Sequence, residues 1–184
     1  MFDAYAAVIA QVGDRALRLY LYHIPSVTSV AISAAVVTRL VQAYGEVIAG
    51  IKDSSADWPH TAELLRQFPQ LSVFVGAEHH LARALGMGAA GTICGLANVI
   101  PELMRQLHDA ARFPSASGAL ERVESLVAAF EGRPFVPALK VVMAYAAGEK
   151  LWRNLRPPLS PLAATDEAAL LAEIAYAGLG PVPV

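Results

Sequence analysis

The residue in this sequence best suited to covalent chemistry is a lysine at the end of an apolar run. Lys52 closes the stretch Val47-Ile48-Ala49-Gly50-Ile51, which has no polar side chain. An ammonium deprived of water is disfavoured against the free amine, and a free amine adds to ketones to give an imine, which is an electron sink when protonated. The alternative is a lysine whose stem lies on apolar surface while its head reaches solvent. Tyr22 occupies the same level one apolar run earlier, at the end of Leu17–Tyr22. A phenol there can pass a proton to or from the carbinolamine or imine; it can also be a core tyrosine with a backbone partner. Gly76 follows the run Leu71–Val75, and Gly95 follows Gly91–Cys94, which contains Ile93. Either glycine would let a substrate come close to the backbone, or could serve a turn.

Other polar residues offer less. His79 and His80 are adjacent, so on a helix they point in different directions and cannot form one metal-binding face. His60 and His108 have no ligand spacing and are expected at the surface or as caps, so no metal site is expected. Asp53 should point away from Lys52 if the strand continues, as a loop or cap acceptor. Cys94 is expected as a small buried group, and Phe68, Phe74, Phe113 and Phe130 as core.

The elements that hold these residues form an alternating pattern. Leu17–Tyr22, Val47–Ile51, Leu71–Val75 and Gly91–Cys94 are short and apolar without alternation, which predicts strands of a parallel sheet covered on both faces. Helical spacing marks residues 2–12, Ile32–Tyr44, Trp58–Gln67, His79–Leu85 and Pro101–Arg112, the last with proline at a favourable first position. Strand and helix alternate as βα units do, winding into an open sheet or a barrel. No Gly-x-Gly-x-x-Gly follows a strand, which removes support for dinucleotide binding. From Ser115 onward only helices are expected, over Ala119–Phe130, Phe135–Ala147 and Glu167–Ala177, with a rigid extended segment at Arg156–Leu162 and a frayed tail from Gly180.

Composition narrows the function classes. Of 184 residues, 55% are hydrophobic and 16% charged, which fits a well-buried fold and not a disordered chain. The net charge of -2 and the lack of any basic run argue against nucleic acid as a partner. A single cysteine rules out an internal disulfide and suits a cytoplasmic protein. No apolar run reaches the roughly 18 residues that span a bilayer, so no membrane partner is expected.

Taken in order, the strand ends resemble those of the dihydrodipicolinate synthase / N-acetylneuraminate lyase family. Tyr22-His23-Ile24-Pro25 is similar to that family's tyrosine-x-x-proline motif, and Gly50-Ile51-Lys52-Asp53-Ser54-Ser55 to its Schiff-base lysine motif. Phe74-Val75-Gly76-Ala77-Glu78 and the run Gly91–Glu102 match as well, as do Leu139-Lys140 and Leu155–Leu159. The resemblance implies a TIM-type (β/α)8 barrel with three C-terminal helices. It implies a class I lyase or aldolase that binds pyruvate or another 2-keto acid as an imine on Lys52, with Tyr22 as proton relay and no separate cofactor. Gly76 and Ile93 would lie near the bound keto acid.

Departures from the family accompany the matches. A (β/α)8 barrel alone needs about 250 residues, more than the 184 present. Residues 1–114 therefore correspond to the C-terminal half of a barrel, four βα units, and 115–184 to its helical appendix. The family's Gly-Thr-Thr-Gly-Glu type carboxylate loop and the second tyrosine of its proton relay have no counterpart. Val27 stands where the synthases carry an arginine, which argues against an authentic dihydrodipicolinate synthase. Ala56 replaces the usual glycine after the lysine motif. A half barrel leaves two sheet edges and its inward face open, so the chain is expected to form a homo-oligomer, to be completed by a complementing half-barrel, or to be an inactive fragment or structural subunit.

Overall fold

The protein is described by a computed structural model covering residues 1–110 and 117–180. The expected boundary at 114/115, Phe113, the end of the helix expected to reach Arg112, and the last four residues of the tail lie outside the described residues. The chain forms two compact units, divided between Cys94 and Gly95.

The first unit holds a four-stranded parallel sheet in the order β1 (Leu19–His23), β2 (Ile48–Asp53), β3 (Ser72–Val75) and β4 (Gly91–Thr92). Sequential order with all strands parallel requires a crossover between each pair. These crossovers are α3 (Ala34–Tyr44), α4 (Trp58–Gln67) and the short α5 (Leu81–Leu85); α1 (Phe2–Val12) precedes β1 and α2 (Pro25–Thr28) follows it. Local chemistry sets several of these limits. The Ser33 hydroxyl accepts a hydrogen bond from Val36 N–H at the start of α3, a cap contributing about 1 kcal/mol. In α4 a proline occupies the first turn and Arg66 the last, each at the end that suits it.

Burial alternates along the strands. Leu21, Ile51 and Val73 are fully or almost fully buried, and with Leu40, Ile48 and Leu64 they form the core between the sheet and its helices. The opposite face carries Tyr20, Tyr22 and Ile93, each about half exposed at 48%, 47% and 48%. Among the described residues of the first unit, helices thus cover the sheet on one face only. The apolar runs do not alternate in polarity, because the open face is lined by tyrosines, Phe74 and glycines instead of charged groups. That asymmetry matches the open inward face implied by a half barrel.

The second unit is helical: α6 (Pro101–Ala110), α7 (Ser117–Ala128), α8 (Phe135–Ala147) and α9 (Ala164–Tyr176). Its core includes Leu107, Leu126, Val142, Leu170 and Ile174. Arg133, just before α8, grips Glu173 of α9 through both guanidinium nitrogens at 2.7 and 2.8 Å, the two-point geometry that makes arginine pairs specific. Among the described residues no helix is long and apolar enough to cross a membrane.

Candidate active site

Parallel pairing of β1 with β2 sets Tyr22 beside Lys52 and His23 beside Asp53. Side chains alternate along a strand, so these neighbouring pairs fall on opposite faces. On the open face the Lys52 ammonium donates a hydrogen bond to the Tyr22 hydroxyl at 3.0 Å and lies 4.2 Å from the centre of its ring. The hydrogen bond from Lys52 pulls the Tyr22 phenol below its ordinary value; burial opposes this, and a Ser54 hydrogen bond and the Lys52 charge reinforce it. Lys52 itself is half-buried, not sealed among apolar groups as its sequence neighbours suggest, because its strand edges an open face.

Gly76 and Ile93 border the same strand ends. Gly76 N–H donates to the Asp53 carbonyl at 2.7 Å, and a Cβ on Gly76 would overlap the Ser54 side chain. The close approach at Gly76 is therefore made by the β2–α4 loop. Ile93 N–H donates to the Val75 carbonyl at 3.1 Å. Ser54 joins Tyr22 to Gly76; as one of two loop serines it carried no signal of this in sequence.

The buried face is more polar than expected. Asp53 is 2% and His23 3% exposed. Asp53 accepts from the Thr61 hydroxyl at 2.6 Å and from Ser55 N–H at 3.0 Å, and lies 3.2 Å from His60 Nδ1. Burial pushes the Asp53 carboxyl up, but hydrogen bonds from His60, Thr61 and Ser55 outweigh it and hold it well below the usual carboxylate range. His60 is raised by Asp53 against its burial, while His23 is lowered, first by burial and then by the His60 charge. Four expectations are corrected here. His60 is neither a surface nor a capping residue: its side chain is 15% exposed and its Nε2 lies 3.2 Å from the Ile32 carbonyl. Asp53 points away from Lys52 as anticipated, but as a strand residue and the hub of this cluster. Cys94 is half-buried, as is Phe74 on the open face, whereas Phe68 and Phe130 are core.

The Ala56 substitution is sterically marked. Its φ of 57° lies in the left-handed region that suits glycine and costs other L-residues roughly 1–2 kcal/mol.

Comparison with known proteins places this geometry. The family model described as Dihydrodipicolinate synthetase family matches residues 1–177. An uncharacterized DapA-like lyase of Chloroflexus aurantiacus is 38% identical over 159 residues, covering 84% of this chain and 52% of the relative. The crystal structure of dihydrodipicolinate synthase from Agrobacterium tumefaciens superposes with a TM-score of 0.87 at 31% identity, covering 95% of this chain and 59% of that one. A prophage protein of the dihydrodipicolinic acid synthase family from E. coli K12, solved in complex with pyruvate, shares the fold with a TM-score of 0.85 at 24% identity; 97% of this chain and 61% of that one are covered. The chain spans about half the length of the curated relatives it matches.

Proposed function

The chain belongs to the dihydrodipicolinate synthetase family, and on that premise we propose that it carries the imine-forming half of a lyase or aldolase acting on pyruvate or another 2-keto acid. The observation that carries this is the Lys52 Nζ to Tyr22 hydroxyl contact of 3.0 Å on the open sheet face. The free amine of Lys52 adds to the keto carbon, forming a C–N bond and moving a proton to the former carbonyl oxygen. Loss of that oxygen as water, with a proton supplied by the Tyr22 hydroxyl, gives the protonated imine, and removal of a proton from the neighbouring carbon by the resulting phenolate gives an enamine, the nucleophile for carbon–carbon bond formation. Tyr22 is within reach to accept and return those protons, and its lowered phenol suits the task. Ser54 holds Tyr22 in place, and Gly76 and Ile93 border the keto acid. No cofactor takes part, because the imine itself is the electron sink.

The pyruvate held by the E. coli prophage relative supports this substrate class. Val27, 75% exposed where a synthase would carry an arginine, favours a 2-keto acid lyase other than dihydrodipicolinate synthase. The half-exposed Tyr20, Tyr22 and Ile93 favour completion of the site by a second copy or a complementing half-barrel, in the cytoplasm. An inactive or structural chain is the competing reading, favoured by that same open face. Exchange of the pyruvate methyl protons for deuterium, followed by NMR, distinguishes them. The wild-type protein, alone or with a complementing half, should exchange the methyl protons, and Lys52→Ala should not. Absence of exchange by folded wild-type protein in both settings would overturn the catalytic reading.

A further inference from the structure

The buried face of the sheet holds a second constellation that the imine chemistry leaves unused. His23 ends β1, Asp53 ends β2 and His60 lies in the first turn of α4. One ligand-type atom from each falls within 4.8 Å of the other two. Asp53 Oδ1 is 3.2 Å from His23 Nδ1, and Asp53 Oδ2 is 3.2 Å from His60 Nδ1. The His23 contact is off the line a hydrogen bond requires, and among the described residues neither His23 nitrogen has a hydrogen-bond partner, although the residue is 3% exposed. A buried imidazole with two unsatisfied nitrogens is costly, and here it faces a carboxylate.

We propose that His23, Asp53 and His60 form a structural binding site for a divalent transition-metal ion of the zinc type. Two imidazoles and a carboxylate are the donor set such borderline ions prefer. Tetrahedral coordination with bonds of about 2.0–2.2 Å places ligand atoms about 3.3–3.6 Å apart; each imidazole lies 3.2 Å from its own Asp53 oxygen, His23 Nδ1 from Oδ1 and His60 Nδ1 from Oδ2, so an ion between them would be met by the carboxylate through both oxygens. The imidazole nitrogens lie within 4.8 Å of one another, and a small adjustment of the two rings about an ion would bring them to coordination spacing. The surrounding bonds already orient the ligands. The Ile32 carbonyl faces His60 Nε2, so Nε2 keeps its proton, and an ion would displace the Nδ1 proton now directed at Asp53; Thr61 and Ser55 anchor the carboxylate. Such outer partners fix tautomer and orientation in metal sites. An open groove of about 550 Å³, lined by His60, Asp57, Glu63 and Arg66, borders the site on its His60 side. The bound ion would tie β1, β2 and α4 together one residue behind Tyr22 and Lys52, and this stands whether or not Lys52 forms an imine.

The test is titration of the chelator-stripped full chain with Co2+, followed by visible absorption, with Zn2+ as competitor. A single saturable equivalent with the absorption of a four- or five-coordinate ion is expected. His60→Gln should weaken affinity at least about tenfold, while a His79→Gln/His80→Gln variant should bind as wild type. X-ray absorption of the Zn2+-loaded wild-type chain provides a readout that needs no variant, and should show two imidazoles in the shell. Lack of a saturable equivalent, affinity unchanged by His60→Gln in folded protein, or a shell without imidazole would each overturn the site.

Discussion

The two faces of the β1–β2 ladder share a backbone and differ in almost everything else. Tyr22 and Lys52 lie on the open side, partly exposed and joined by one hydrogen bond; His23 and Asp53, one residue on, are almost fully buried. An exposed hydrogen-bonded pair contributes little to stability, so Tyr22 and Lys52 do little for the fold, which suits the imine role proposed for them. A buried carboxylate surrounded by donors is costly to disturb, so Asp53 holds the strand ends at fixed spacing. The dipeptides Tyr22-His23 and Lys52-Asp53 thus each place one candidate reactive residue and one buried residue on opposite sides of the same strand.

Substitutions on each face should separate these roles. The largest effect is expected from Lys52→Ala, which should abolish deuterium exchange into pyruvate while changing unfolding free energy by less than about 1 kcal/mol, as read by urea denaturation. Asp53→Ala should do the reverse: it strips Thr61, Ser55 and His60 of their acceptor and should cost about 3–5 kcal/mol in the same denaturation. Gly76→Ala should cost about 1–3 kcal/mol through overlap with Ser54, and Ser54→Gly in the same chain should restore most of it.

Smaller effects sharpen the contrast. Tyr22 should ionise below the ordinary tyrosine value of about 10, measured as the phenolate absorbance difference between wild type and Tyr22→Phe. Lys52→Met should move that titration upward, since Lys52 is the principal cause of the lowering. Because the folded-state value is the lower one, any stabilisation from this shift is present only at high pH, is lost as pH falls through the folded value, and is absent at neutrality. The smallest change is expected from Ala56→Gly, which relieves a positive φ and should gain about 0.5–1 kcal/mol after the glycine entropy cost, seen as a raised denaturation midpoint.

The open face was the more legible side in sequence. Lys52 and Tyr22 end apolar runs, and their motifs extend into Pro25 and Ser55, so local pattern sufficed to pair them. The helices over Trp58–Gln67 and Phe135–Ala147 were likewise legible, because their apolar positions recur at helical spacing and proline or glycine bounds them. The buried cluster was not legible. His23, Asp53 and His60 come from three elements, and their spacing means nothing until strand pairing and the α4 crossover bring them together. Lys52 looked enclosed because its sequence neighbours are apolar, yet alternation turns those neighbours to the other side or leaves glycine beside it. Ala56 gave no sign of strain in sequence; its backbone angle shows it.

The central claim is that Lys52 forms an imine with a 2-keto acid, and borohydride reduction in the presence of pyruvate tests it most directly. Folded protein, alone or with a complementing half-barrel, should gain the mass of a reduced pyruvyl adduct, and peptide mapping should place it on Lys52. An unmodified Lys52, or an adduct on surface lysines that persists in Lys52→Ala, would contradict the claim.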